Sequence, residues 1–196
     1  VTSGTHGAEG FCGSGCQVAL MRDPWFVDAV GRSGAAVAFL HALNPFGFAH
    51  VARTNEDNVD LNRNFRDFAA TPPNAAYLEI HDFIVPDAWP PTPGNEERLA
   101  RYVAERGMTA LQSALSTGQV DRPDGLFFAG SRPAWSSGVL RDVLRRHAAA
   151  RRRLTWIDVH TALGPLGHAE KIYAGPDDPA TLARTRACFG ADVTSI

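Results

Sequence analysis

Two strand-like, largely apolar runs constrain this chain more than anything else in it. Residues 35–43 read AAVAFLHAL and stop at Asn44-Pro45, and residues 154–160 read LTWIDVH. The first is a continuous apolar run but for His41, and the second, which ends in His160, is read with it as a strand buried on both faces, the habit of a largely parallel sheet. Helical patterns lie between and around them. The expected fold class is therefore α/β, a mostly parallel or mixed central sheet with helices on both faces.

In chain order, the pattern predicts helices over residues 11–22 and 25–30, the second stopped by Gly31. Residues 46–68 read as a long polar loop rich in Asn, Asp and Arg, and loops of that length in compact domains tend to carry function. Further helices are expected over 74–84, with Asn74 as cap, over 95–115, weakened at Gly107, and over 136–150. The basic run Arg151-Arg152-Arg153 falls where cations complement a helix dipole. A turn over 161–167, a strand over 170–174 and a helix over 179–189 complete the reading, with no internal repeat.

A chain of 196 residues suits one domain with a real core, and residues 1–196 are read as one. A net charge of -2 offers no footprint for nucleic acid or an anionic membrane. No apolar run reaches the roughly 20 residues of a membrane helix, and no signal peptide opens the chain. Three cysteines, Cys12, Cys16 and Cys188, argue for a reducing, cytoplasmic setting without disulfides. Cys12 and Cys16 read as small residues of a helix wall rather than as a metal pair. The chain opens on Val1-Thr2-Ser3, like a strand already under way, and closes on another strand-like run. The expectation is a domain truncated at both ends. Oligomeric state has no signature here.

Sites in open α/β sheets gather beyond the carboxyl ends of the strands. Three polar clusters follow strand-like runs: His6 and Glu9 in a glycine-rich opening loop, residues 53–63, and His160. A short-spaced pair of ligands with a distant third, one position being left to water, is the arrangement of a catalytic zinc. The middle cluster holds Arg53 and Arg63, whose planar forks match carboxylates and developing oxyanions. Nucleotide-binding glycine patterns are absent.

His6-Gly7-Ala8-Glu9, Asp60-Leu61-Asn62-Arg63 and Asp158-Val159-His160-Thr161 resemble, in this order, the motifs of the zinc carboxypeptidase superfamily. The fit is closest to its bacterial carboxypeptidase-like DUF2817 branch, through residues 1–17 and 55–65. The resemblance implies that His6, Glu9 and His160 hold Zn2+ and that Asp60 orients His6. It implies that Asn62 and Arg63 clasp the substrate's free carboxylate. Arg53 would be the catalytic arginine that polarises the scissile carbonyl. The short interval from Arg53 to Asn62 is similar to that of aspartoacylases and succinylglutamate desuccinylases. The expected activity is hydrolysis of an amide bond next to a free carboxylate, in a small peptide or an N-acyl amino acid. The alternative is a non-catalytic zinc- and carboxylate-binding module.

The family's general base, a glutamate well after the third ligand, and its capping tyrosine have no clear counterpart here. After His160 the acidic candidates are Glu170, Asp177, Asp178 and Asp192, none in a matching setting. The base is expected outside this chain.

Overall fold

The computed structural model describes residues 1–161 and 164–195. The chain is mixed α/β, rich in helix, and its strands among the described residues are two residues long. The chain divides into two compact units, Val1–His160 and Thr161–Ile196.

The first unit is organised on β1 (Thr2–Ser3), which pairs in parallel with β2 (Asp158–Val159), Thr2 opposite Asp158 and Ser3 opposite Val159. On the other side of β1 runs the extended segment around Leu40. Leu40 N donates to Val1 O at 2.9 Å, Ser3 N to Leu40 O at 3.1 Å and Leu43 N to Ser3 O at 2.9 Å. Both apolar runs thus flank β1, but they are not buried on both faces as expected. Val37, Leu154, Trp156 and Ile157 are exposed. Helix α1 (Gly10–Arg22) packs against β1 and β2, and the exposed side chains have no cover among the described residues. Cys12 and Cys16 lie in α1, both exposed and unpaired by any disulfide.

Glycines fix the opening loop. Gly4 has a φ of +67°, and a Cβ there would lie 2.9 Å from the Ala42 Cα. At Gly7 a Cβ would come within 1.9 Å of the Gly47 carbonyl carbon. The single 3-10 turn Gly7–Glu9 and α3 (Pro45–His50) therefore meet backbone to backbone.

Helix α3 and the short α4 (Leu61–Asn64) fall inside the stretch expected to be irregular. Capping is the cause. Asn44 Oδ1 accepts from Gly47 N at 2.8 Å, with Pro45 in the first turn, and Asp60 Oδ1 accepts from Asn62 N at 2.9 Å. Val59 and Leu61 join Leu43, Phe128 and Leu140 in a buried cluster, each side chain contributing about 1.5–3 kcal/mol. Asp60 lies in sequence between two of these anchors.

The remaining helices deviate from expectation mainly at their ends. Helix α2 (Pro24–Ser33) runs through Gly31 and ends instead at Gly34, φ 67°. A second core of Ile80, Phe83, Tyr102, Leu111 and Ala114 joins α5 (Ala75–Ile84), α6 (Pro93–Arg106) and α7 (Met108–Ser116). Gly107, φ 85°, separates the last two, breaking the single helix expected over 95–115. Helix α8 (Trp135–His147) stops short of residue 150. Its dipole is complemented by Arg145, Arg146 and His147, while Arg151-Arg152-Arg153 lie exposed beyond it.

In the second unit β3 (Ile172–Tyr173) pairs in parallel with β4 (Thr194–Ser195) across α9 (Pro179–Phe189). Residues 162 and 163 of the expected turn lie outside the described residues.

Candidate metal centre

Parallel pairing brings the carboxyl ends of β1 and β2 together, and the polar residues that follow them meet there. His6 caps the 3-10 turn that follows β1, and Glu9 ends that turn. Positions i and i+3 eclipse in such a turn, so the two side chains share a face. His6 Nδ1 is 2.9 Å from Glu9 Oε1. His160, directly after β2, places its Nδ1 2.9 Å from Glu9 Oε2. One carboxylate thus spans two imidazoles from opposite ends of the unit. The ligand atoms of His6, Glu9 and His160 all lie within 4.8 Å of one another.

The far nitrogens are anchored as well. His6 Nε2 donates to Asp60 Oδ1 at 3.0 Å, and Asp60 is fully buried. His160 Nε2 donates to Asp158 Oδ2 at 2.8 Å. Asp158 also accepts from Thr2 Oγ1 at 2.6 Å and from Thr5 Oγ1 at 2.9 Å. The sequence motifs assign Asp60 a role and Asp158 none. A signal for Asp158 is nevertheless present, because residues two apart on a strand point to one face, and Asp158 stands two before His160.

Each imidazole has a carboxylate at both nitrogens, which favours the doubly protonated ring. Hydrogen bonds to Asp158 and Glu9, working against burial, raise the His160 pKa to about 9. Burial disfavours charge on His6, yet its bonds to Asp60 and Glu9 outweigh burial and raise its pKa. Asp60 and Asp158 are lowered in return. Burial opposes their ionisation, and the bonds from His6 and from His160 respectively overcome it.

The donor set fits a metal ion. With each Nε2–H held by an aspartate, the tautomer that leaves Nδ1 free is the favoured neutral form. Both Nδ1 atoms and the Glu9 carboxylate then converge on one point, replacing two protons by one cation. Arg53 closes the neighbouring side. Its Nε donates to Asp60 Oδ2 at 3.0 Å, and its Nη1 is 3.6 Å from Glu9 Oε1.

Arg53 and Arg63 lie close together. Their guanidinium carbons are 4.9 and 5.7 Å from the centroid of one ring, Phe127. Arg63 forms no ion pair among the described residues, and its buried Nε lacks a hydrogen-bond partner. Burial lowers its pKa, opposed by the nearby charge of Asp60 and reinforced by the like charges of Arg53 and Arg66. Asn62 is exposed beside it. In the second unit, Glu170 accepts from Thr194 Oγ1 at 3.4 Å, Asp178 caps α9 and Asp192 holds Lys171 Nζ at 2.8 Å.

A cleft of about 780 Å³, lined by His81, Asp82, Arg98, Arg122 and Asp124 among others, contains none of these residues. Several of its charges pair with one another, Arg122 with Asp82 at 3.3 Å and with Asp124 at 3.8 Å. Convergent ligand atoms make the His6–Glu9–His160 group the stronger candidate.

A family model described as "Protein of unknown function (DUF2817)" matches residues 1–196. No curated protein and no solved structure matches the chain.

Proposed function

The chain belongs to the DUF2817 family, and from that premise we propose that it is a zinc-dependent hydrolase of amide bonds beside a free carboxylate. The observation that carries the reading is the convergence of His6 Nδ1, His160 Nδ1 and the Glu9 carboxylate, with each Nε2 anchored on an aspartate. Two imidazoles and one carboxylate are a donor set that suits zinc, and three protein ligands leave a position open. When bound, zinc supplies Lewis-acid polarisation and a lowered pKa for water. The finer architecture of the proposal is a zinc carboxypeptidase-like sheet with helices on both faces.

The chain's own residues divide the remaining work. Asp60 and Asp158 hold the two imidazoles in the tautomer that presents Nδ1. Arg63, which makes no direct ion pair among the described residues although the charge of Asp60 acts on it, offers its guanidinium to a substrate carboxylate, and Asn62 is exposed next to it. Arg53, tethered to Asp60, faces the same region and supplies positive charge where an oxyanion develops. The substrate is a small peptide or an N-acyl amino acid, and the setting proposed is cytoplasmic. No helix among the described residues is long and apolar enough to cross a membrane.

A second reading, a zinc- and carboxylate-binding module without catalysis, draws on the local engagement of Asp178 and Asp192, two acidic residues that follow His160. The two readings separate on one assay. Zinc-loaded protein is incubated with a panel of dipeptides and N-acyl amino acids, with and without a chelator. Chelator-sensitive release of the free amino acid supports hydrolysis. Release that continues unchanged in excess chelator contradicts it, and binding of the panel without release supports the module.

A further inference from the structure

Phe127 is one of the non-glycine residues at positive φ in this chain, with Ala42, Val51 and Asn58. Its φ is +52°, a conformation that costs a bulky residue energy and persists only where the surroundings over-determine it. The surroundings do so here. Leu126 N donates to the Tyr77 hydroxyl at 2.7 Å, Gln119 N donates to Phe127 O at 3.2 Å, and Asp60 N donates to Phe128 O at 2.8 Å. Ala129 N donates to Gln119 O at 2.8 Å and Ala129 O accepts from Asn64 Nδ2 at 2.8 Å. The two adjacent phenylalanines serve different ends. Phe128 is buried in the core cluster, while Phe127 is half-buried against Arg53 and Arg63.

Two guanidinium groups that repel one another need something to hold them together. Asp60 tethers Arg53 through Nε. Arg63 has no such tether among the described residues. Its stem passes over Gly118, where a Cβ would lie 2.7 Å from Arg63 Cδ, and its head rests by the Phe127 ring. An aromatic ring attracts cations through its quadrupole and leaves their N–H groups free to donate.

We propose that Phe127 is a positioning residue, whose ring holds the Arg53 and Arg63 guanidinium groups side by side as one cradle for a carboxylate. The inference rests on the carboxylate-directed reading above and deepens it by assigning what arranges the two cations.

The test has two readouts on the zinc-loaded protein. Side-chain 15N relaxation gives the order parameters of the Arg53 and Arg63 Nε–H vectors without any ligand. Calorimetry gives the affinity for N-acetylphenylalanine, with N-acetylphenylalaninamide as the uncharged control. Phe127→Leu keeps apolar bulk without the ring; it is expected to lower both order parameters and to weaken acid binding about tenfold. Phe127→Tyr is expected to restore both. If the Leu variant fails to fold, Phe127→Gly, at ease with positive φ, reads the same loss. Unchanged order parameters in the folded variant overturn the proposal. Equal binding of acid and amide by the unaltered protein contradicts the carboxylate reading instead, and the order parameters still decide the positioning role.

Discussion

The imidazoles of His6 and His160 stand edge to face with centroids 5.0 Å apart, although they come from opposite ends of a 160-residue unit. Glu9 lies between their Nδ1 atoms and an aspartate lies behind each Nε2. In the metal-free protein this order of acid and base is a charge-compensated chain. In the proposed centre the same side chains would serve as three ligands and two orienting groups.

Asp60→Asn tests the first orienting group. The amide is nearly isosteric but cannot hold His6 Nε2–H with a charge, and it weakens the tether on Arg53. Zinc affinity, measured by competition with a chromophoric chelator, is expected to fall about 10- to 100-fold. Affinity equal to that of the unaltered protein would remove Asp60 from the centre.

Asp158→Asn tests the corresponding bond to His160. Asp158 also gathers Thr2 and Thr5, so the variant should weaken both zinc binding, again about 10- to 100-fold, and the junction of β1 with β2. Hydrogen exchange at the Thr2 and Ser3 amides reads the second effect. Loss of strand protection with full zinc affinity would assign Asp158 to the fold alone.

The pH dependence follows from His160. Its folded pKa, raised to about 9 chiefly by the bonds to Asp158 and Glu9, stands above the ordinary 6.5. The associated stability is fully present below 6.5 and is lost as pH rises through about 9. Metal-free protein should therefore melt at progressively lower temperature across that window. Zinc must displace a proton there, so its affinity rises over the same interval, and the melting temperatures of loaded and metal-free protein should diverge. Asp60 and Asp158, with lowered values, act oppositely: their contribution is present above 3.8 and lost as pH falls through their folded pKa values. A flat metal-free melting profile from 6.5 to about 9 would contradict the geometry around His160.

Asn64 carries the scaffold behind the arginines. Its Nδ2 donates to Ala129 O and Arg132 O, and its Oδ1 accepts from Ala134 N and Ser137 Oγ. Asn64→Ala orphans these buried groups and should destabilise the protein by about 3 kcal/mol, read from its denaturant midpoint. Zinc stoichiometry should stay unchanged, since Asn64 touches none of the three ligands.

Local chemistry is what the sequence reveals. His6 and Glu9 are one short turn apart, and His160 ends an apolar run, so strand-end reasoning brings them together. Asp158 needs one further step, the alternation of strand faces that sets it on the side of His160 two residues on, and the motif match alone does not take that step. Phe127 carries no signal at all, since its placement follows from a backbone conformation that no residue pattern announces. The apolar runs at 35–43 and 154–160 do mark the chain beside β1. Their burial is less than their composition suggests, because a run records its preference for cover and not whether a neighbour supplies it, as the exposed Trp156 and Val37 show. Short helices α3 and α4 are hidden in a polar stretch because caps, rather than apolar periodicity, create them.

The most direct measurement is the zinc content of the purified protein after equilibration with the ion, beside His160→Ala prepared in the same way. One zinc per chain is expected, lost in the variant while its circular dichroism stays that of a folded protein. A folded chain that takes up no zinc, or a variant that retains it fully, would contradict a centre built from His6, Glu9 and His160.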